Sequence, residues 1–163
     1  MTARTTRIIW ILTAVVLAVA AVAITIETLP TLRVGWCKVF LGKRSTVAVP
    51  PAEAGPKQVV VAYLNAVAAR DDDTLRVLAA PSFLERHGGN GIGCYYRRLD
   101  LTWVGEPHTD SSVYARQVFA VPTRYTVDME ESGPESDGER RYDVLVGRNA
   151  SSERWRIIDY GNG

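Results

Sequence analysis

Proton transfer beside a carbonyl needs a general base held near a donor that stabilises the developing oxyanion. The carboxylate best matched to that task is Asp159, because alternation along Arg154 to Tyr160 puts it on one face with Trp155 and Ile157. Tyr63, Tyr125 and Tyr142 carry hydroxyls that can serve as the donor. The competing reading, a strand-end aspartate that is solvated or paired with an arginine, outweighs the catalytic one. Asp100 fits less well, since it shares a face with Arg98 and Thr102. His87 falls at a helix end and His108 in a turn, each without a second ligand at metal spacing, so neither a metal nor a cofactor is expected. His87 in the last turn of its helix is also favoured electrostatically. The run Gly88 to Gly93 follows a helix and precedes a strand and lacks a Gly-Lys-Ser/Thr ending. A phosphate loop needs the opposite order, so the run reads as a flexible turn beside Cys94.

The elements that must position these residues follow from periodicity. Pro56 suits a first helical position with Gly55 as its cap, and Val59, Tyr63 and Val67 form one stripe, with Val60 and Leu64 beside it. That helix ends near Arg70. Asp71, Asp72 and Asp73 read as the cap and first turn of a second helix, holding Leu75, Leu78 and Ala79, rather than as a metal cluster. Pro81 opens a third short helix with Phe83 and Leu84. The remainder alternates: Tyr95 to Val104 with Leu99, Leu101 and Trp103 on one face, Val113 to Asp128 with Ala115, Phe119, Val121, Tyr125 and Val127 together, then Arg140 to Arg148 and Arg154 to Tyr160. Pro122 marks an edge or bulge. Helices first and an antiparallel meander second define an α+β domain with helices packed on one face of a curved sheet. Tyr63, Trp103, Phe119, Tyr125, Tyr142 and Trp155 are the candidate cavity-lining rings, and filling the core is the favoured alternative for them.

Ile8 to Ile26 is an uncharged run of nineteen residues in a chain of 163. As a helix it reaches about 28 Å, close to the thickness of a bilayer's hydrocarbon core. Ala18-Val19-Ala20 and Ala21-Val22-Ala23 fit a signal-peptidase site, but the run continues past both, which favours an uncleaved anchor. Arg4 and Arg7 favour a cytoplasmic N-terminus. Arg33, Lys38, Lys43 and Arg44 oppose it by count, though a long domain translocates with little regard to charge. The expected layout is a cytoplasmic tail over 1–7, a transmembrane helix over 8–26, a juxtamembrane connector over 27–51 and one extracytoplasmic domain over 52–163. Trp36 with Lys38, Lys43 and Arg44 resembles an interfacial anchor. Net charge is +1, and the basic residues are scattered without a stripe, so nucleic acid is not an expected partner. Cys37 and Cys94 form a candidate disulfide if the domain is exported; two separate buried thiols are the alternative.

The opening PKQVVVAYLNAVAARDDDTLRVL, then PSFLERHG, then strands ending in WRIIDYGNG, resemble the NTF2-like (SnoaL-like, cystatin-like) superfamily over roughly residues 52–163. More narrowly, the chain is similar to membrane-anchored actinobacterial proteins that carry such a domain. The resemblance implies a cone with a cavity between helices and sheet, and often a dimer through the outer face of the sheet. It is an arrangement rather than a motif, so it speaks to fold more than to activity. The expectation is a non-catalytic accessory or scaffold protein at the cell membrane, working as a homodimer or with a membrane-protein partner. The alternatives are a module for a small apolar ligand and an isomerase or dehydratase using Asp159.

Overall fold

Proline at the first helical position and a buried aspartate at the next helix start set the first half of the domain. The computed structural model describes residues 11–22, 35–37, 39, 42–87, 91–111, 114–129 and 137–161. Helix α1, Pro56–Ala69, opens with Pro56 behind Gly55, whose N–H donates to the Gln58 side chain at 3.2 Å. Its buried face carries Val59, Val60, Tyr63, Leu64, Ala66 and Val67. It ends at Arg70, a buried residue in the left-handed region with φ 54°, a conformation that the following turn imposes at some cost for a side chain with a Cβ. Helix α2, Asp72–Leu78, starts at Asp71, whose carboxylate accepts the Thr74 N–H. Helix α3, Pro81–Arg86, again opens on a proline.

A short 3-10 turn, Ile92–Tyr95, leads into the sheet. The strands are β1 Tyr96–Val104, β2 His108–Thr109, β3 Gln117–Met129, β4 Gly138–Arg148 and β5 Arg156–Gly161. They pair antiparallel in the order β1-β3-β4-β5, and β2 shares with β1 the same edge of β3. Pro122 lies between the stretches of β3 that pair with β1 and with β2, and its carbonyl accepts the Gly105 N–H at 2.8 Å. A proline fits there because the ladder is interrupted on that side. Ala79 bridges Ile157, and the Ala80 N–H donates to the Ile157 carbonyl at 2.8 Å, tying the helices to β5.

The architecture is α+β, with helices on a curved antiparallel sheet. One core joins the α1 face to Leu99, Val121, Tyr125, Val127, Val144, Val146 and Ile157. A smaller cluster of Val118, Ala120, Leu145 and Ile158 lies on the opposite face of the sheet.

Three register shifts correct the faces expected from strict alternation. Each bulge inserts one residue and moves every later side chain to the other face. The shift between Leu101 and Trp103 sets Trp103 opposite Arg124. Trp103 is therefore half exposed, at 50%, and lies outside the core, with the Arg124 guanidinium 5.8 Å from its ring centre. The shift between Tyr96 and Arg98 turns Tyr96 inward opposite Met129. The shift beside Leu145 and Val146 leaves Ile158 as the extra residue, so Asp159 falls opposite Leu145 on the outer face and Tyr160 falls opposite Val144 on the inner one. In addition, β3 begins at Gln117 rather than Val113. Ala115 crosses the outer face of the sheet instead, within contact distance of the Gly147 position.

Residues 11–22 are helical. No helix among the described residues is long and apolar enough to cross a membrane. The span expected over 8–26 extends at both ends beyond the described residues. The described part of the connector, by contrast, is fastened to the domain. Cys37 and Cys94 are disulfide-bonded, with Cα atoms 5.9 Å apart. The Arg44 N–H donates to the Ala69 carbonyl at 2.8 Å, and its guanidinium donates to the Ala68 and Arg97 carbonyls at 3.2 and 2.7 Å, which satisfies the last turn of α1. Lys43 Nζ lies 2.7 Å from Asp71 Oδ1, and the Val47 N–H donates to Asp71 Oδ2 at 2.8 Å.

Burial alone would raise the Asp71 pKa, but the Lys43 ammonium and the Val47 and Thr74 donors more than offset it and hold the carboxyl well below the usual carboxylate range. A depressed native pKa contributes stability that is complete above the unfolded value and fades as pH falls below about 4. Asp71→Asn is expected to lower unfolding free energy at neutral pH by about 2 kcal/mol, the scale of hydrogen bonds to a charged group. Urea midpoints measured against pH should show the wild-type and Asp71→Asn curves converging in acid. Reduction of the Cys37–Cys94 bond, which spans a sequence separation of 57, is expected to cost about 4 kcal/mol on the loop-entropy account. Melting with and without reductant measures it, and an unchanged midpoint would mean that the bond constrains little.

Candidate ligand-binding site

The inward faces of β1, β3, β4 and β5 converge at one end of the sheet on a cluster of phenols. Tyr96, Tyr125, Tyr142 and Tyr160, with Met129 and Arg140, line a cavity of about 310 Å³. Tyr63 of α1 lies buried behind this wall, and its hydroxyl shares a hydrogen bond with that of Tyr160. The rings brace one another. Tyr125 stacks on Tyr142 with centroids 6.2 Å apart, and Phe83 meets Tyr160 edge to face at 5.1 Å. His87 stacks on Phe83 at 4.5 Å and turns its face toward the Tyr160 ring at 5.5 Å, so it supports the wall from behind.

Burial pushes the phenols of Tyr63, Tyr96, Tyr125 and Tyr160 up from their ordinary pKa. Desolvation penalises the phenolate, and neighbouring tyrosines add repulsion; the Arg140 charge opposes this at Tyr96 and Tyr125 without reversing it. These phenols stay protonated at neutral pH. They can donate and accept hydrogen bonds, but they are too weakly acidic to work as bases there.

Asp159 does not line this cavity. Its Oδ1 accepts the Tyr160 N–H at 2.9 Å and stands 3.6 Å from His87 Nε2. Asp159, the candidate base that the paired or solvated reading outweighed, is thus an outer-face partner of a histidine, and the residue that enters the cavity is its neighbour Tyr160. Of the expected lining rings, Tyr125 and Tyr142 form walls, whereas Tyr63 is buried in the core behind Tyr160 and does not line the cavity. Trp103 faces outward. Phe119 and Trp155 pair edge to face at 5.4 Å and border a separate open depression. Alternation alone missed Tyr96 and Tyr160, because a bulge precedes or follows each one. Arg140 was readable as an inward residue only from its pairing with Tyr125.

The other candidates have structural roles. Asp100 pairs with Arg98 at 2.6 Å, and His108 is exposed in β2. Asp72 accepts the Gly91 N–H at 3.1 Å. Gly91 has φ 108°, and a Cβ on Gly93 would lie 2.6 Å from the Val67 carbonyl, so glycine is required where this turn presses on α1. Residues 88–90 of the glycine run lie outside the described residues. Among the described residues no cluster of His, Cys, Asp or Glu could hold a metal ion.

The arrangement suits recognition more than proton transfer. It offers neutral phenol donors, a sulfur, an apolar wall and one guanidinium, and among the described residues no carboxylate or imidazole lines it. Compared with known protein families, with curated proteins and with solved structures, the chain matches none.

The raised phenol pKa values also fix an alkaline limit. The unfolded chain releases phenol protons near pH 10 and the folded one above it, so stability is full below that pH and declines as pH rises past it. Phenolate absorbance followed against pH should show Tyr63, Tyr96, Tyr125 and Tyr160 ionising only together with loss of the circular dichroism of the fold. Ionisation of all seven tyrosines near pH 10 in a still folded chain would contradict this packing.

Proposed function

We propose that this protein is a single-pass, membrane-anchored, non-catalytic accessory or scaffold protein that presents an NTF2-like domain outside the cell membrane. The observation that carries the reading is the helix at 11–22. Ile11, Leu12, Val15, Val16, Leu17, Val19 and Val22 are 55 to 66% exposed; all but Leu17 lie within one arc of about 140°, and alanines fill most of the remaining sides. A helix that is apolar all round and uncovered by its own domain suits a lipid environment. It lies within an uncharged run of bilayer length. The disulfide is consistent with an oxidising compartment beyond the membrane. The order of helices, then a bulged antiparallel sheet over an internal cavity, supports the NTF2-like resemblance. Among the described residues no carboxylate lines the cavity, and Asp159 lies on the outer face, which weighs against an isomerase or dehydratase built on Asp159.

A second reading rests on the same cavity. About 310 Å³ lined by phenols and Arg140 suits a small apolar ligand with one polar group, at the small end of ligand-sized pockets.

Labelling Cys37 and Cys94 in intact cells with a membrane-impermeant thiol reagent tests the topology. Labelling that appears only after reduction is the expected result; labelling that requires lysis would put the domain in the cytoplasm. Cross-linking of the full chain in its own membrane should capture either a second copy or a membrane-protein neighbour. A clean monomer would remove the scaffold role and leave the ligand-binding reading, for which native mass spectrometry should show a retained small molecule.

A further inference from the structure

The outer face of the sheet carries a groove that neither the cavity nor the anchor uses. It is about 510 Å³ and runs between the start of α3 and the segment at Tyr114 and Ala115. Its floor is apolar, formed by Ala80, Ala115 and Ile158 over Gly147. A Cβ at Gly147 would approach Ala115 and Ile158 to 2.8 Å, so glycine lets that floor close up.

Three arginine side chains, Arg86, Arg154 and Arg156, bring charge to this groove against one carboxylate, Glu153, in a chain whose total charge is only +1; Arg148 borders it too, but its guanidinium turns to Gln117 and Trp155 on the inner side of the sheet. Glu153 already accepts the Asn149 N–H at 2.9 Å. Among the described residues none of the four arginines pairs with a carboxylate. Elsewhere Arg76, Arg97, Arg98, Arg124 and Arg141 each do.

Two of the groove guanidiniums, and that of Arg148, are instead oriented by neutral oxygens. Arg86 donates to the Ile158 carbonyl at 2.8 Å and Arg154 to the Pro50 carbonyl at 2.5 Å. Arg148 donates to the Gln117 side chain at 2.7 Å and to the Ser151 carbonyl at 3.0 Å, and it lies 4.2 Å from the Trp155 ring centre. Arg156 is exposed opposite Gly147. Neutral acceptors fix the direction of a guanidinium without cancelling its charge. Mutual repulsion among the three is left for an external anion to relieve.

We propose that this groove binds a phosphate ester. Guanidinium forks match phosphate oxygens, and the excess of positive charge suits a group that carries more than one negative charge. The groove is far larger than a phosphate, and its apolar floor accommodates the organic part of the ester. That ester is either a lipid phosphate headgroup or a free phosphorylated metabolite, and both present the same chemistry to the arginines. The site is independent of the tyrosine cavity and of the anchor.

Calorimetric titration of the full chain in a neutral detergent tests the proposal, with phenyl phosphate and dihexanoylphosphatidic acid as probes. Saturable binding that weakens at raised ionic strength is expected. Preference for the short-chain lipid identifies a headgroup as the source, and preference for phenyl phosphate a free ester. The double variant Arg86→Gln/Arg156→Gln is expected to weaken binding about tenfold or more, a loss equivalent to about 1.4 kcal/mol. Arg141→Gln, at the far end of β4, should leave it unchanged. Arg156→Gln alone disturbs no hydrogen bond seen in the fold and should shift affinity in the same direction if the double variant is misfolded. Saturation by neither probe, or wild-type affinity in a folded Arg156→Gln and double variant, would overturn the assignment.

Discussion

The domain is organised around one buried carboxylate. Asp71 is fully buried, and it meets three separate parts of the chain: Lys43 and Val47 of the connector, the start of α2 through Thr74, and, through its own N–H, the Ala66 carbonyl of α1. The Thr74 hydroxyl lies between Asp71 Oδ2 at 2.9 Å and the Val47 carbonyl at 3.0 Å, so its single proton serves one or the other. A carboxylate in such a place is costly unless every lone pair finds a donor. Here the donors come from segments distant in sequence, so the cost is met only when connector, turn and helix are assembled together. The left-handed Arg70 belongs to the same arrangement. Its strained backbone is what reverses the chain between α1 and α2 and delivers Asp71 to the interior.

That junction determines what the sheet can do. With α1 fixed, its Tyr63 side packs on the inner face and braces Tyr160, a wall of the cavity, from behind. The walls depend on the bulges. Extra residues in β1 and β5 turn Tyr96 and Tyr160 inward, opposite Met129 and Val144, where an unbulged sheet would have presented Arg97 and Asp159. The result replaces two charged groups by two phenols. It converts a site that would have had a base into one that donates neutral hydrogen bonds. Bulges are known to re-aim side chains next to functional sites, and in this protein they decide which class of chemistry is available.

The same bulges explain what was legible in the sequence. The three helices, their proline and aspartate starts, the order of the long strands and the inward stripe Val59, Tyr63 and Val67 all follow from local rules, and the structure has them. Face assignments held where strands are regular, as for Phe119, Val121, Tyr125 and Val127 along β3. They failed at Trp103 and Asp159, each beyond a register shift that no glycine or proline within the strand announces. A period of two carries no memory of an inserted residue, so a single bulge inverts every side chain after it. The outer groove was also hidden. Its arginines come from α3, β5 and the turn before β5, and they look scattered until the fold brings them together.

The fastening of the connector bears on how an anchored domain would be presented. The disulfide holds Cys37 against the start of the sheet, and Lys43, Arg44 and Val47 continue the attachment along α1 and α2. Between a membrane span ending at Ile26 and Cys37 only ten residues intervene. Even fully extended they reach about 35 Å. A domain on so short a tether samples a thin layer beside the bilayer, and its effective concentration toward anything else in that layer is correspondingly high. A protein working on freely diffusing metabolites gains little from such confinement, whereas one that meets membrane-bound neighbours gains directly. The covalent and ionic attachment of the connector would then serve a purpose beyond stability: it removes slack that an unfastened stretch of 27–51 would have added to the tether.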